Sequence, residues 1–135
     1  MAGYSTTPLA KKLGFREGSR VRTSNAPADY LRLVTPRPDN VTISGALRKD
    51  INIWHFFTRS RVELKTKLPG MLSNINQDGM IWVSWPKKAA RAPTDITEDV
   101  IRELALPLGL VDVKVCAVDT TWSGLKLVIR KELRK

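Results

Sequence analysis

Cysteine and histidine each occur once in the 135 residues of this chain. A single thiol, Cys116, excludes an internal disulfide and suits a reducing compartment, so a cytoplasmic location is expected. It lies in the apolar run Val113-Lys114-Val115-Cys116-Ala117-Val118, where a small packed side chain is the expected role and a reactive thiol the alternative. One imidazole, His55, excludes a multi-histidine metal site built within the chain, and no metal is expected. No stretch approaches the roughly twenty apolar residues of a membrane helix. The N-terminus has no long apolar secretory segment. A membrane partner is therefore not expected. The phosphate loop G-x-x-x-x-G-K is missing. No Ser/His/Asp or Cys/His grouping and no paired carboxylates stand out, so no catalytic residue is assigned.

What the chain has is ordinary globular composition, 42% hydrophobic and 27% charged, with an unusual net charge of +10. That length and composition fit one domain over 1–135, with 1–18 as an N-terminal segment carrying a short helix. The charge is spread. Residues 1–35 hold 6 basic and 2 acidic groups, 36–86 hold 7 and 4, and 87–135 hold 10 and 7. Such a balance permits attraction of an anion or a nucleic acid, and it also serves solubility.

Regular punctuation by Gly and Pro marks short alternating elements. A first helix can begin at Thr7-Pro8 and stop before Gly14, with Leu9 and Leu13 on one face. A strand over 19–24 is polar on paper, with Arg20 and Arg22 flanking Val21. A helix over 28–34 would bury Tyr30, Leu31 and Val34. Residues 41–43 read as a strand, and 51–57 as a central strand covered on both faces, with His55 packed inside. A helix from Arg59 carries Leu64, Leu68, Met71, Leu72 and Ile75 as a core stripe, kinked or split by Pro69. Asn76-Gln77-Asp78-Gly79 reads as a turn and 80–85 as a buried strand. Asp95 with Glu98 resembles a capping pair opening a helix that ends at Gly109. Two strands follow, over 113–118 and 125–130, joined by a turn over 120–124.

This order predicts an α/β fold. A mostly parallel sheet of about six strands lies between two helical layers, closed by a C-terminal antiparallel hairpin. From Ile51 through Arg130 it looks like the second half of a class I methyltransferase, with one helix–strand unit missing between Gly45 and Ile51. A closer resemblance is to an uncharacterised bacterial family, domain of unknown function 3052. It is carried by Gly3-Tyr4-Ser5, Thr7-Pro8-Leu9-Ala10-Lys11-Lys12-Leu13-Gly14, Asn25-Ala26-Pro27, Trp85-Pro86-Lys87-Lys88, Thr94-Asp95 with Glu98, Gly109-Leu110-Val111-Asp112 and Trp122-Ser123-Gly124-Leu125. That resemblance implies a Rossmann-like fold and no particular activity. Arg22 is more polar than the residue the family usually has there.

The turn after the first strand, Thr23-Ser24-Asn25-Ala26-Pro27, lacks the glycines that let backbone amides approach a methyltransferase cofactor. The second strand ends in Ile43-Ser44-Gly45, without an acidic residue for ribose hydroxyls. No cofactor is therefore expected. In open α/β sheets, ligands sit beyond the carboxyl ends of the strands. That rule selects Asn25, Arg59, Lys87, Lys88, Asp119, Trp122 and Ser123 as candidate ligand-binding residues. Lys87, Lys88 and Arg59 would offer positive charge, Trp85 and Trp122 flat apolar surface, and Asp119 a partner for a lysine or a hydroxyl. Thr94-Asp95 would mark a helix N-terminus. Three functions stay open: a non-catalytic domain binding an anionic ligand or partner on a degenerate methyltransferase-like scaffold, a nucleic-acid-binding protein, and an enzyme of unrecognised chemistry. Oligomeric state is not readable.

Overall fold

Apolar runs at strand spacing and stripes at helical spacing assemble into three layers. The computed structural model describes residues 7–135, so Gly3-Tyr4-Ser5 lie outside the described residues. The strands are β1 (Arg20–Ser24), β2 (Thr42–Ser44), β3 (Ile51–Phe57), β4 (Ile75–Pro86), β5 (Leu110–Ala117) and β6 (Trp122–Ile129). They form one six-stranded sheet in the order β2-β1-β3-β4-β6-β5. Strands β1 to β4 are parallel, and β6 runs antiparallel between β4 and β5. The expected closing hairpin is present, its last strand inserted inward so that β5 forms the sheet edge.

The helices are α1 (Leu9–Lys12), α2 (Tyr30–Leu33), α3 (Arg61–Asn74) and α4 (Glu98–Ala105). Helices α3 and α4 cover one face, where Leu64, Leu68, Met71 and Ile101 pack on Trp54, Phe56, Ile81 and Val83. The short α1 and α2 cover part of the other, where Leu13, Tyr30 and Val34 pack on Val21, Ile53, Phe57 and Trp82. Central β3 is buried on both faces, as its near-continuous apolar run predicts.

Several local expectations are corrected. Pro69 does not divide α3, which runs uninterrupted from Arg61 to Asn74. Losing one backbone donor costs less there than exposing the stripe of Leu64, Leu68 and Met71. Asn76 to Gly79 are not a turn but part of β4, whose register with β3 shifts between Ile51 and Ile53. Leu31 is exposed, because α2 makes a single turn and presents only Tyr30 to the core. Helix α4 is capped by Thr97, whose hydroxyl accepts from the Val100 N–H, and not by Asp95. Glu98 becomes its first residue instead of a reciprocal cap. The turn before β6 ends at Thr121, which places Ser123 in the strand ladder.

The polar β1 has a structural cause. A parallel crossover ordinarily needs a dozen or more residues with a helix, yet residues 45–50 alone link β2 to β3. Leu47 of this strap packs on the α3 side of the sheet. Arg22 donates to the Leu47 carbonyl at 2.7 Å, and its guanidinium lies 4.3 Å from the centre of the Trp54 ring. Arg20 reaches the Lys49 carbonyl at 3.5 Å. Arginine therefore stands where a helix-covered strand would carry an apolar side chain.

Candidate ligand-binding rim

The parallel strands deliver Asn25, Thr58 and Lys87 to one rim. The Lys87 N–H donates to the Thr121 carbonyl at 2.7 Å, which joins the β5–β6 turn to the same edge. Of the predicted residues, Asn25, Arg59, Lys87, Lys88 and Trp122 gather there in two clefts rather than one pocket, and Asp119 and Ser123 line neither.

The first cleft, about 470 Å³, is lined by Asn25, Thr58, Arg59, Ser60, Glu63 and Trp122. Arg59 extends over the Trp122 ring, 5.9 Å from its centre. Trp122 itself stands edge-on to Phe57 at 5.1 Å, which fixes its plane. Asn25 sits in the left-handed backbone region (φ 58°) where a glycine would be at home. Its amide donates to the Phe57 carbonyl at 3.0 Å and tethers the turn to β3.

Sequence reasoning missed Glu63. Its carboxylate accepts from the Thr58 hydroxyl at 2.6 Å and lies 3.5 Å from the Asn25 amide nitrogen. The signal was present in Ser60-Arg61-Val62-Glu63, the capping-box spacing. Ser60 caps α3 by accepting from the Glu63 N–H at 3.1 Å. The Glu63 side chain turns to Thr58 because the Thr58 hydroxyl already accepts from the Ser60 N–H.

The second cleft, about 720 Å³, is lined by Lys87, Lys88, Arg91, Thr97, Glu98 and Asp99, among others. The segment from Arg59 separates the two, because its carbonyl accepts from the Thr94 hydroxyl at 2.9 Å and from the Asp95 N–H. Asp95 in turn accepts from the Arg61 N–H at 2.6 Å, so it serves the start of α3 and not that of α4. Arg102 binds Glu98, Asp99 and Asp112 at 2.8–3.1 Å. Its hydrogen bond lowers the Asp112 carboxyl below the ordinary range. Lys87, Lys88 and Arg91 enter no ion pair among the described residues.

Three expected roles change. Trp85 is a core residue, 8% exposed, and offers little flat surface. Asp119 accepts from the backbone N–H groups of Thr121 and Trp122 at 2.8 and 2.7 Å, so it orders the turn instead of orienting a lysine. Ser123 pairs with Trp85 and Ala117 in the ladder and lines neither cleft. Cys116 is half-buried, and burial raises its thiol pKa, which lowers its reactivity.

The comparisons address the architecture. No protein-family model matches the chain, and no curated protein matches it in sequence. Solved structures do match. LepI in complex with SAM is 10% identical (TM-score 0.54), with 90% of this chain and 39% of LepI covered. A putative methyltransferase from Thermoplasma acidophilum is 8% identical (TM-score 0.53), with 94% and 76% covered. Magnesium protoporphyrin IX methyltransferase from Synechocystis with bound SAH is 12% identical (TM-score 0.50), with 73% and 54% covered. The chain has a methyltransferase-like fold. It spans less than two thirds of the length of LepI and of the Synechocystis enzyme. In this methyltransferase-like fold the strap 45–50 stands where the missing helix–strand unit was expected. Among the described residues, no helix is long and apolar enough to cross a membrane. No cluster of His, Cys, Asp or Glu among them could hold a metal.

Proposed function

We propose that this chain is a non-catalytic binding domain on a methyltransferase-like scaffold, and that it takes a small anionic ligand at the rim. One observation carries the reading. The acids lining the larger cleft, Glu98 and Asp99, are engaged by Arg102, whereas Lys87, Lys88 and Arg91 enter no ion pair among the described residues. A phosphate or carboxylate would supply the counter-charges. Arg59 over Trp122 extends the positive rim toward the first cleft and suits a ligand with a flat group.

The rim's other polar groups support binding over catalysis. Asp119 is held by two backbone amides, and Glu63 accepts from Thr58. His55 is sealed in the core. Asn25-Ala26-Pro27 offers no glycine turn for a cofactor's amino-acid group, and Ser44-Gly45 offers no acid for a ribose. Membership of the uncharacterised bacterial family is part of the same reading. It rests on the motifs around Asn25 and around Lys87-Lys88.

Thermal shift and calorimetry with pyrophosphate, nucleoside triphosphates and S-adenosylmethionine test the reading. A ligand that binds only the folded state raises Tm, by about 2.7 kcal/mol of stability at 100 times its Kd. Phosphate ligands should raise Tm, and Lys87→Ala with Lys88→Ala should abolish the rise. A rise with S-adenosylmethionine alone, or methyl transfer to any acceptor, would overturn it.

A further inference from the structure

A second group of cations lies away from the rim, on the side of the sheet where α1 packs. Lys126 stands beside Trp82 in the β4–β6 ladder, and the Trp82 indole N–H donates to the Leu13 carbonyl at 2.9 Å. That bond fixes the face as the α1 side. Directly across β6, Lys126 pairs with Lys114 of β5. Like charges set opposite each other on antiparallel strands weaken the pairing. Arg16, just past α1, lines a cleft of about 540 Å³ with Lys126, Asn52 and Met80. Lys12 is the last residue of α1, whose neighbours Ala10 and Leu13 pack on this same face, and Cys116 lies two residues from Lys114 along β5.

None of Lys12, Arg16, Lys114 and Lys126 enters an ion pair among the described residues. The acids bordering the cleft, Glu17 and Asp78, make none with them either. Burial, then the charges of Lys114 and Arg16, pulls the Lys126 ammonium below its ordinary range. Segments some hundred residues apart in sequence thus bring four cations to one face with no ion pair among the described residues.

We propose that this face binds the phosphate backbone of a nucleic acid, with Lys12, Arg16, Lys114 and Lys126 contacting phosphates without reading base sequence. The array is open and mostly lysine, point charges on flexible stems, which suits an extended polyanion better than a single fixed phosphate. Next along the ladder on this face are Cys116 and Gly124 on one side and the half-buried Val111 and Val128 on the other. They give neither an aromatic platform for base stacking nor an exposed large apolar group to enter a bilayer. The proposal goes beyond the rim and does not depend on it.

The test is a fluorescence-anisotropy titration of labelled single-stranded RNA and duplex DNA at about 50 and about 200 mM salt. The wild-type protein should bind at low salt and weaken at high salt. The double substitution Lys114→Gln with Lys126→Gln should weaken low-salt binding about tenfold or more and lower the salt slope by about 2. Its Tm should equal or exceed that of wild type, because a like-charge pair is removed. Lys65→Gln with Lys67→Gln, on α3, removes the same net charge elsewhere and should leave binding intact. Absence of low-salt binding would overturn the proposal. So would equal losses in the two double variants, or binding to phosphatidylserine vesicles with none to nucleic acid.

Discussion

The Tyr30 hydroxyl lies 2.8 Å from Nδ1 of His55, inside the core between α2 and β3. On the other side of the ring, Nε2 lies 2.7 Å from the Ser84 hydroxyl, and the ring stacks on Phe57 at 4.2 Å. A fully buried imidazole is thus satisfied at both nitrogens by neutral partners, which leaves no counter-charge for a proton. Burial pushes its pKa down to about 3 from an ordinary 6.5.

Stability should therefore depend on pH. Between those two values the unfolded chain binds a proton that the folded chain refuses. His55's contribution is complete above the unfolded value of 6.5 and is lost as pH falls toward about 3. The slope reaches about 1.4 kcal/mol per pH unit inside that window. Urea midpoints across the window should fall more steeply with acid for wild type than for His55→Gln, and equal slopes would contradict this account. Tyr30→Phe leaves Nδ1 unpartnered in the core and should cost about 1–3 kcal/mol at neutral pH.

Arg22 should matter for stability although it is charged and only half-buried. Arg22→Ala removes the donor to Leu47 and the stack on Trp54, so the strap 45–50 loses its main tie. The expected loss is about 1–3 kcal/mol in chemical denaturation. Arg22→Lys keeps the charge without the planar fork and should recover only part of it. No change in either variant would remove the strap's role.

Gly79 sits where no side chain fits. A Cβ there would lie 2.9 Å from the Asn76 carbonyl, 3.0 Å from that of Asn52 and 3.2 Å from that of Ile51. All three are backbone atoms at the shifted register between β3 and β4. Gly79→Ala should destabilise by about 1–3 kcal/mol, the scale of overpacking a well-filled interior. A melting temperature unchanged from wild type would show that the register can relax.

The cap of α3 frames the first cleft, so its loss should be felt in both stability and site. Ser60→Ala leaves the Glu63 N–H unsatisfied and should cost about 1 kcal/mol, while Ser60→Asp should retain most of it. Thr97→Ala at α4 should behave alike, since Thr97 makes the equivalent bond to Val100. Denaturant midpoints for the three variants settle whether the two helices are capped as described.

Period and punctuation made much of this architecture legible in the chain itself. The apolar run at 51–57, the stripe Leu64-Leu68-Met71 and the alternation of Leu125, Leu127 and Ile129 each specify an element with its buried face, because burial of apolar area is read out residue by residue. Parallel order then follows from alternating strands and helices. The same topological rule selects Asn25, Arg59, Lys87, Lys88, Asp119, Trp122 and Ser123; the first four and Trp122 line the two clefts, and Asp119 and Ser123 line neither.

Tertiary structure alone decided the rest, because side-chain partnership depends on distances that sequence spacing does not encode. Arg59 separates two clefts only because its carbonyl meets Thr94 and Asp95 from a segment 35 residues away. Asp119 is consumed by its own turn, and Glu63 by Thr58. Arg22 is a polar residue in a strand until the strap crosses it and Trp54 lies beneath. Lys114 and Lys126 look like two solvated lysines until strand pairing sets them face to face.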